Sequence, residues 1–253
     1  MRVSDGPGTA PRILGEDPLP GVWTPGPPHV WLLRTDRPLP VPGQDPERIL
    51  DAGERARAAA FVRDLHRERY VASHTGLRLL LGAYLGTDPA AVTLVREPCP
   101  GCGGPHGRPA AAGAPLHFNL SHAGDLALIA FADTPVGADV EEVQPAATAR
   151  ELAGVLHPAE TAELTALPAP RLPEAFARCW TRKEAYLKGT GTGLSENPSV
   201  TYVGAGPVPA SPAGWALEDV PAAPGYAAAI AVAVTDAVTG AVTGSGAETN
   251  APR

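Results

Sequence analysis

The side chains in this sequence that could do chemistry fall into separate clusters. Asp139 and Glu141 lie in the run VGADVEEV (Val136–Val143). Two residues apart on a strand, their carboxylates share one face, and Val140 turns the other way towards a core. Carboxylates held side by side repel each other. Either one is protonated or a cation joins them, and a hard divalent cation with oxygen ligands is the usual answer. Taken alone, the pair also describes the acidic solvent face of an ordinary strand. Trp180, Glu184 and Lys188 follow at steps of four in CWTRKEAYLKG, along one stripe of a helix. Glu184 before Lys188 is also the favourable order for a surface ion pair, but the GTGTGL loop beyond is more pliable than a helix stop needs. Ser121 and His122 sit between two apolar runs, where a hydroxyl and an imidazole can meet phosphate oxygens or can cap a turn.

Cys99 and Cys102, with His106, form CPGCGGPHG. This has the spacing of half a zinc site. A closed site needs four ligands, and the sequence has no second CxxC. The plainer reading is a loop with two reduced thiols.

These groups need elements to position them. Residues 1–28 are rich in Pro and Gly without periodicity and read as a loose lead-in. His29–Arg34 reads as the first strand, followed by a helix near Glu54–Val62 and a longer one near Leu65–Leu85 stopped by Gly86. Asp88–Val92 reads as a short helix, Thr93–Arg96 as a strand and Cys99–Ala114 as a loop. Leu116–Leu120 and Leu126–Phe131 read as a hairpin joined by SHAGD, and Val136–Val143 as a further strand. Helices are expected over Thr148–Leu156, Pro158–Leu167 and Pro173–Lys188, the last with Gly189 just past its end. Strands are expected at Val200–Val203, Gly214–Leu217 and Tyr226–Val234, with a frayed tail over 237–253. The domain reading is an N-terminal α/β half over 29–135 and a C-terminal α/β half over 136–236 that carries the carboxylates. Both run strand, helices, strands.

Composition narrows the function. A formal charge of −7 argues against a general nucleic-acid binder, which needs a basic stripe. No apolar stretch is long enough for a membrane span, and the N-terminus lacks the apolar core of a secretory signal. Three cysteines, an odd number, argue against a disulfide framework. A cytoplasmic setting is expected.

Three blocks together, FNLSHAGDLALIAF (Phe118–Phe131), VGADVEEV and WTRKEAYLKGTGTGL (Trp180–Leu194), resemble the Sfp-type 4'-phosphopantetheinyl transferases that activate peptide and polyketide synthases. Weaker similarity runs through RERYVASHTGLRLLL and GRP, so that it covers about residues 47–203. The resemblance implies an α/β fold of two similar halves related by a pseudo-two-fold axis, with coenzyme A in the cleft between them. A monomer then suffices. It implies magnesium ligands at Asp139, Glu141 and Glu184, and a lysine close to the reacting phosphate at Lys188. It implies coenzyme contacts at Ser121, His122 and Arg108, with Arg57 and Arg69 near further basic coenzyme-binding positions. Glu160, in HPAETAEL, matches a glutamate that helps deprotonate the incoming serine, a role a metal-bound water could equally fill. As a helix residue it also reads as an ordinary first-turn glutamate.

The implied reaction moves the phosphopantetheine arm of coenzyme A onto a serine of an apo peptidyl or acyl carrier protein and releases adenosine 3',5'-bisphosphate. Arginines suit phosphate because their forks bind oxygens in pairs. Two other classes remain open on residues alone: a metal-dependent phosphatase or pyrophosphatase using the same carboxylates, and a non-catalytic module that binds the coenzyme or the carrier.

Overall fold

A computed structural model describes residues 9–37, 39, 46–193 and 196–234. In chain order it shows strands β1 (Arg12–Ile13) and β2 (His29–Arg34), then helices α1 (Pro46–Ile49), α2 (Ala52–Ala59) and α3 (Asp64–Leu85). Strands β3 (Leu94–Arg96), β4 (Pro109–Ala111), β5 (His117–Ala123), β6 (Leu126–Ala132) and β7 (Val136–Glu142) come next. Helices α4 (Ala146–Leu152), α5 (Pro158–Thr165) and α6 (Leu172–Thr190) precede the closing strands β8 (Trp215–Asp219) and β9 (Tyr226–Ala233). The fold is therefore α/β, as the sequence indicates.

The strands form a four-stranded sheet in the order β1-β2-β6-β5, a small β3-β4 pair and a three-stranded sheet in the order β7-β9-β8. Strand alternation sorts side chains between layers. On β2, Trp31 and Leu33 meet Leu77, Leu80, Leu81 and Tyr84 of α3. Val30 and Leu32 point the other way, into a layer shared with Leu128, Ala130, Val136, Ala138, Val140 and Ile230. That layer joins the two larger sheets. Beyond the second sheet, Phe176, Cys179 and Ala185 of α6 pack on Leu217, Ala229 and Ala231. The sheets are also tied at a seam between β5 and β7, where the Ala138 amide donates to Asn119 Oδ1 at 3.2 Å.

Several sequence expectations are corrected. The lead-in is not loose throughout: β1 pairs parallel with β2 and Trp23 is buried, donating from Nε1 to Asp133. The Cys99–Ala114 loop contains β4, which pairs antiparallel with β3. Ser121 and His122 do not lie in the hairpin connection. β5 continues through Ala123, and the link to β6 is Gly124-Asp125 alone. Val200–Val203 forms no strand; its Val203 amide donates to Glu160 Oε1 rather than to a ladder. Helix α6 runs past Gly189 and stops at Gly191, whose φ of 81° is left-handed. The expected tail over 237–253 lies outside the described residues.

Candidate active site

The carboxylates come together because β7 and α6 touch backbone to backbone. Val136, Ala138 and Val140 take the buried layer between the sheets, so Gly137, Asp139 and Glu141 face the opposite way. A Cβ at Gly137 would stand 1.9 Å from the Ala185 carbonyl oxygen and 2.4 Å from the Gly189 nitrogen. Only hydrogen fits there. Gly189 is kept small in turn, since a Cβ on it would meet the Trp215 ring at 2.6 Å. This crossing sets Glu184 and Lys188 beside Asp139. The spacing argument holds here: Asp139 and Glu141 share the face of β7 turned towards α6.

Asp139 is 1% exposed and Glu184 9%. Lys188 Nζ donates to Asp139 Oδ1 at 2.5 Å and to Ser121 Oγ at 3.0 Å. Ser121 Oγ donates to the same Asp139 oxygen at 2.8 Å. The remaining oxygen of Asp139, Oδ2, and Oε1 of Glu184 are buried without any hydrogen-bond partner. Such groups are costly to leave unpaired. Burial is the leading cause that raises all three carboxyl pKa values, and mutual repulsion adds to it. Glu141 is pushed up to about 7, with the Asp139 charge as the second cause. Lys188 alone therefore underbalances the cluster. Missing positive charge and orphaned oxygens are what a divalent cation would satisfy, so these residues fit the expected metal. The trio is more open than a closed cage: among the described residues, the one set of three metal-ligand side chains with all donor atoms within 4.8 Å is Cys99, Cys102 and His106. An open set suits a cation that keeps part of its water shell.

Basic groups line the approach from β5 and α3. His122, next to Ser121 but on the opposite face of β5, is exposed at the surface. Its pKa is lowered by partial desolvation first, then by the positive fields of His74 and Lys188 and, more weakly, Arg69. Arg69 pairs with Asp125 at 2.5 Å. Arg57 is exposed and lies over the Phe61 ring, 5.6 Å from its centroid. Tyr70 stacks on His74, with 4.0 Å between ring centroids. Arg108 comes from elsewhere: it grips Glu97 Oε2 through Nε and Nη2 and donates from Nη1 to the Gly189 carbonyl at 2.6 Å. It thus rests on the last turn of α6, just beyond Lys188. A cavity of about 690 Å³ lined in part by Asp36, Arg55, Arg67 and Thr75 includes none of Asp139, Glu141 and Glu184.

Glu160 is not brought to the site. It is fully buried. Lys183 Nζ and the Val203 amide donate to its Oε1, and the His157 amide donates to Oε2. Lys183 and Glu184 are neighbours on α6 and project about 100° apart, so the partner of Lys183 lies on a different side of the helix from the trio. Glu160 caps α5 and anchors it to α6. Sequence reading also missed that Arg182 and Lys183 are themselves fully buried. In WTRKEAYLK they read as surface charges. The available signal was that Lys183 falls in the apolar row of Phe176, Cys179 and Leu187 on the longest C-terminal helix. His74 was missed as well, although it falls on the same helix as Arg69.

The sequence profile of the 4'-phosphopantetheinyl transferase superfamily matches residues 135–230. The chain is 36% identical over 193 residues to 4'-phosphopantetheinyl transferase HetI of Nostoc sp., covering 70% of this chain and 78% of that protein. The chain belongs to the 4'-phosphopantetheinyl transferase family. A 4'-phosphopantetheinyl transferase of Bacillus subtilis is 31% identical over 163 residues, 59% of this chain and 69% of its own length. AcpT of Salmonella typhi is 46% identical over a shorter 91 residues, 35% and 47%. As a member of this enzyme family, the chain carries all three carboxylates and Lys188 inside the matched span β7–β9. Ser121, His122 and Arg108 lie ahead of it. Among the described residues, no helix is long and apolar enough to cross a membrane.

Proposed function

We propose that this chain transfers the 4'-phosphopantetheine group of coenzyme A to a serine of apo peptidyl or acyl carrier proteins of peptide, polyketide or fatty-acid synthases. Adenosine 3',5'-bisphosphate is the second product. The observation that carries the reading is the pair of buried, unpartnered oxygens, Asp139 Oδ2 on β7 and Glu184 Oε1 on α6. Family membership says which reaction such a site serves.

In this reading Asp139, Glu141 and Glu184 hold Mg²⁺. The ion, when bound, supplies positive charge beside the pyrophosphate oxygens. Lys188 is the mobile cation: partly exposed, it exchanges its bond to Asp139 for a phosphate oxygen and steadies the charge that develops there. Ser121, beside Lys188, presents a hydroxyl to the same phosphates, and His122, on the exposed face of β5, presents its imidazole to another anionic part of the coenzyme. Arg57, Arg69 and Arg108 hold the more distant anionic parts of the coenzyme. The serine oxygen bonds to the phosphorus that bears the pantetheine arm, the bond from that phosphorus to the bridging oxygen breaks, and the bisphosphate leaves. The serine proton passes to solvent water, since Glu160 is enclosed. The two units, each a strand, a long helix and an antiparallel hairpin, are read as halves of a pseudo-two-fold arrangement acting as a monomer in the cytoplasm.

The test is the mass of a panel of apo carriers after incubation with the enzyme, coenzyme A and Mg²⁺. Each substrate should gain one phosphopantetheine. Glu184→Gln should abolish the gain while leaving the melting temperature near that of the wild type, since it removes a buried charge without changing shape. No mass gain on any carrier refutes the proposal, and phosphate release without a carrier would favour a hydrolase.

A further inference from the structure

The loop between β3 and β4 forms a second constellation that the transfer reaction does not use. Cys99, Cys102 and His106 place their ligand atoms within 4.8 Å of one another. Cys102 Sγ lies 3.0 Å from His106 Nε2. Ligands at about 2.3 Å for sulfur and 2.1 Å for nitrogen in a tetrahedron stand roughly 3.6–3.8 Å apart, so small rotamer changes would seat an ion. The backbone is wound to serve the sulfurs. The Gly104 amide donates to Cys102 Sγ at 3.4 Å, and the Cys99 amide and carbonyl close the turn on Gly104 and Gly103, each at 2.7 Å. Gly103 has a left-handed φ of 71°. A Cβ at Gly104 would crowd both the His106 ring and Cys102 Sγ, at 3.1–3.3 Å.

We propose that Cys99, Cys102 and His106 bind a thiophilic divalent ion, zinc, as three protein ligands with the fourth position left to solvent. Two thiolates and one imidazole are the donor set zinc prefers, while Mg²⁺ prefers oxygen. Among the described residues, no fourth Cys, His, Asp or Glu joins the set; Glu97, nearby in sequence, is engaged by Arg108. This site is separate from the carboxylates and independent of the reaction proposed above. Its role follows from what the loop holds. The loop is closed at its base by amide bonds from Glu97 to the Arg108 carbonyl and from Gly107 to the Glu97 carbonyl, each 2.9 Å. Pro100 and, from the base, the side chain of Arg108 lie against Gly191, the stop of α6. The ion fastens the tip of a clamp whose base sets Arg108 on Gly189.

The full-length protein, purified without chelator and desalted, should carry about one equivalent of zinc by elemental analysis. Cobalt exchanged into it should give a thiolate-to-metal charge-transfer band. Cys102→Ser and His106→Ala, both at exposed positions, should lose the zinc and the band while the protein stays folded by circular dichroism. Hydrogen exchange at the Cys99 and Gly107 amides should quicken roughly tenfold or more after chelation, because the loop opens locally. A metal-free wild type that takes up no cobalt overturns the proposal, as does a Cys99–Cys102 disulfide detected by mass in the purified protein. Retention of the zinc in both variants overturns it too. None of these readouts depends on carrier or coenzyme turnover.

Discussion

Gly137→Ala offers a sharp test of how the active site is positioned. The added Cβ would lie 1.9 Å from the Ala185 carbonyl oxygen, while a carbon and a carbonyl oxygen in contact rest about 3.3 Å apart. The obstacle is backbone, so no side chain can rotate away. Strand β7 and helix α6 must part by about 1.4 Å at the crossing, given that contact distance. Asp139 and Glu141 ride on one element and Glu184 and Lys188 on the other, so the shift goes directly into the site. Misplacement of about 1 Å costs on the order of 100-fold in rate, and overpacking of this kind costs about 1–3 kcal/mol in stability. The assay is single-turnover formation of holo carrier by mass, with thermal unfolding of the same sample. The expected result is a fold that persists with a lower melting temperature and a rate reduced about 100-fold. A variant that keeps its rate within a factor of a few would refute the claim that the Gly137 contact sets the geometry.

Glu160→Gln should act on stability and not on chemistry. It leaves the Lys183 ammonium, fully buried, without its carboxylate, at a cost of about 3–5 kcal/mol; at low temperature the folded fraction should keep its pH–rate profile, and a lost limb of that profile would restore Glu160 as the base. The pH dependence of stability is a further check. The Glu141 carboxyl rises from its ordinary 4.5 to about 7 on folding, so the folded chain keeps a proton that the unfolded chain has lost. Its contribution is complete below about 4.5 and declines as pH rises towards 7. Metal-free wild type should therefore lose melting temperature over that window more steeply than Glu141→Gln, and added Mg²⁺ should recover it; equal slopes would show that Glu141 does not titrate there.

Much of this was legible in local pattern. The strand at His29–Arg34 and helix α3 follow from a short apolar run and from a long apolar stripe ended by Gly86, and Asp139 and Glu141 share a face because a strand has a period of two. Positions decided by distant chain were not legible. Gly189 looks like a helix stop until Gly137 and Trp215 are seen pressing on it. Ser121 looks like turn chemistry because SHAGD is polar, yet β5 runs on to Ala123, and the register turns Ser121 inward to Asp139. Glu160 had the type and place of a base, and its use as a buried anchor depends on Lys183, 23 residues along the chain. The fold class thus follows from periodicity, while the division of the acidic residues between site and scaffold follows from tertiary contacts.

The buried charges of α6 have a consequence for how the molecule is made. Arg182 finds its partners at Gly204, Gly206 and both oxygens of Asp219, and Lys183 finds its own at Glu160 and the Thr201 carbonyl. Glu160 precedes α6, but the partners of Arg182 all follow it; until they arrive that cation stays in water, because stripping it bare costs several kcal/mol. During synthesis α6 is complete some thirty residues before Asp219 emerges, a helix ready but unable to dock. Contacts that span such separations form late. Glu184 and Lys188 share that helix, so Asp139 acquires them only after Asp219 has emerged. A nascent chain halted before β8 would hold the acidic strand without its lysine.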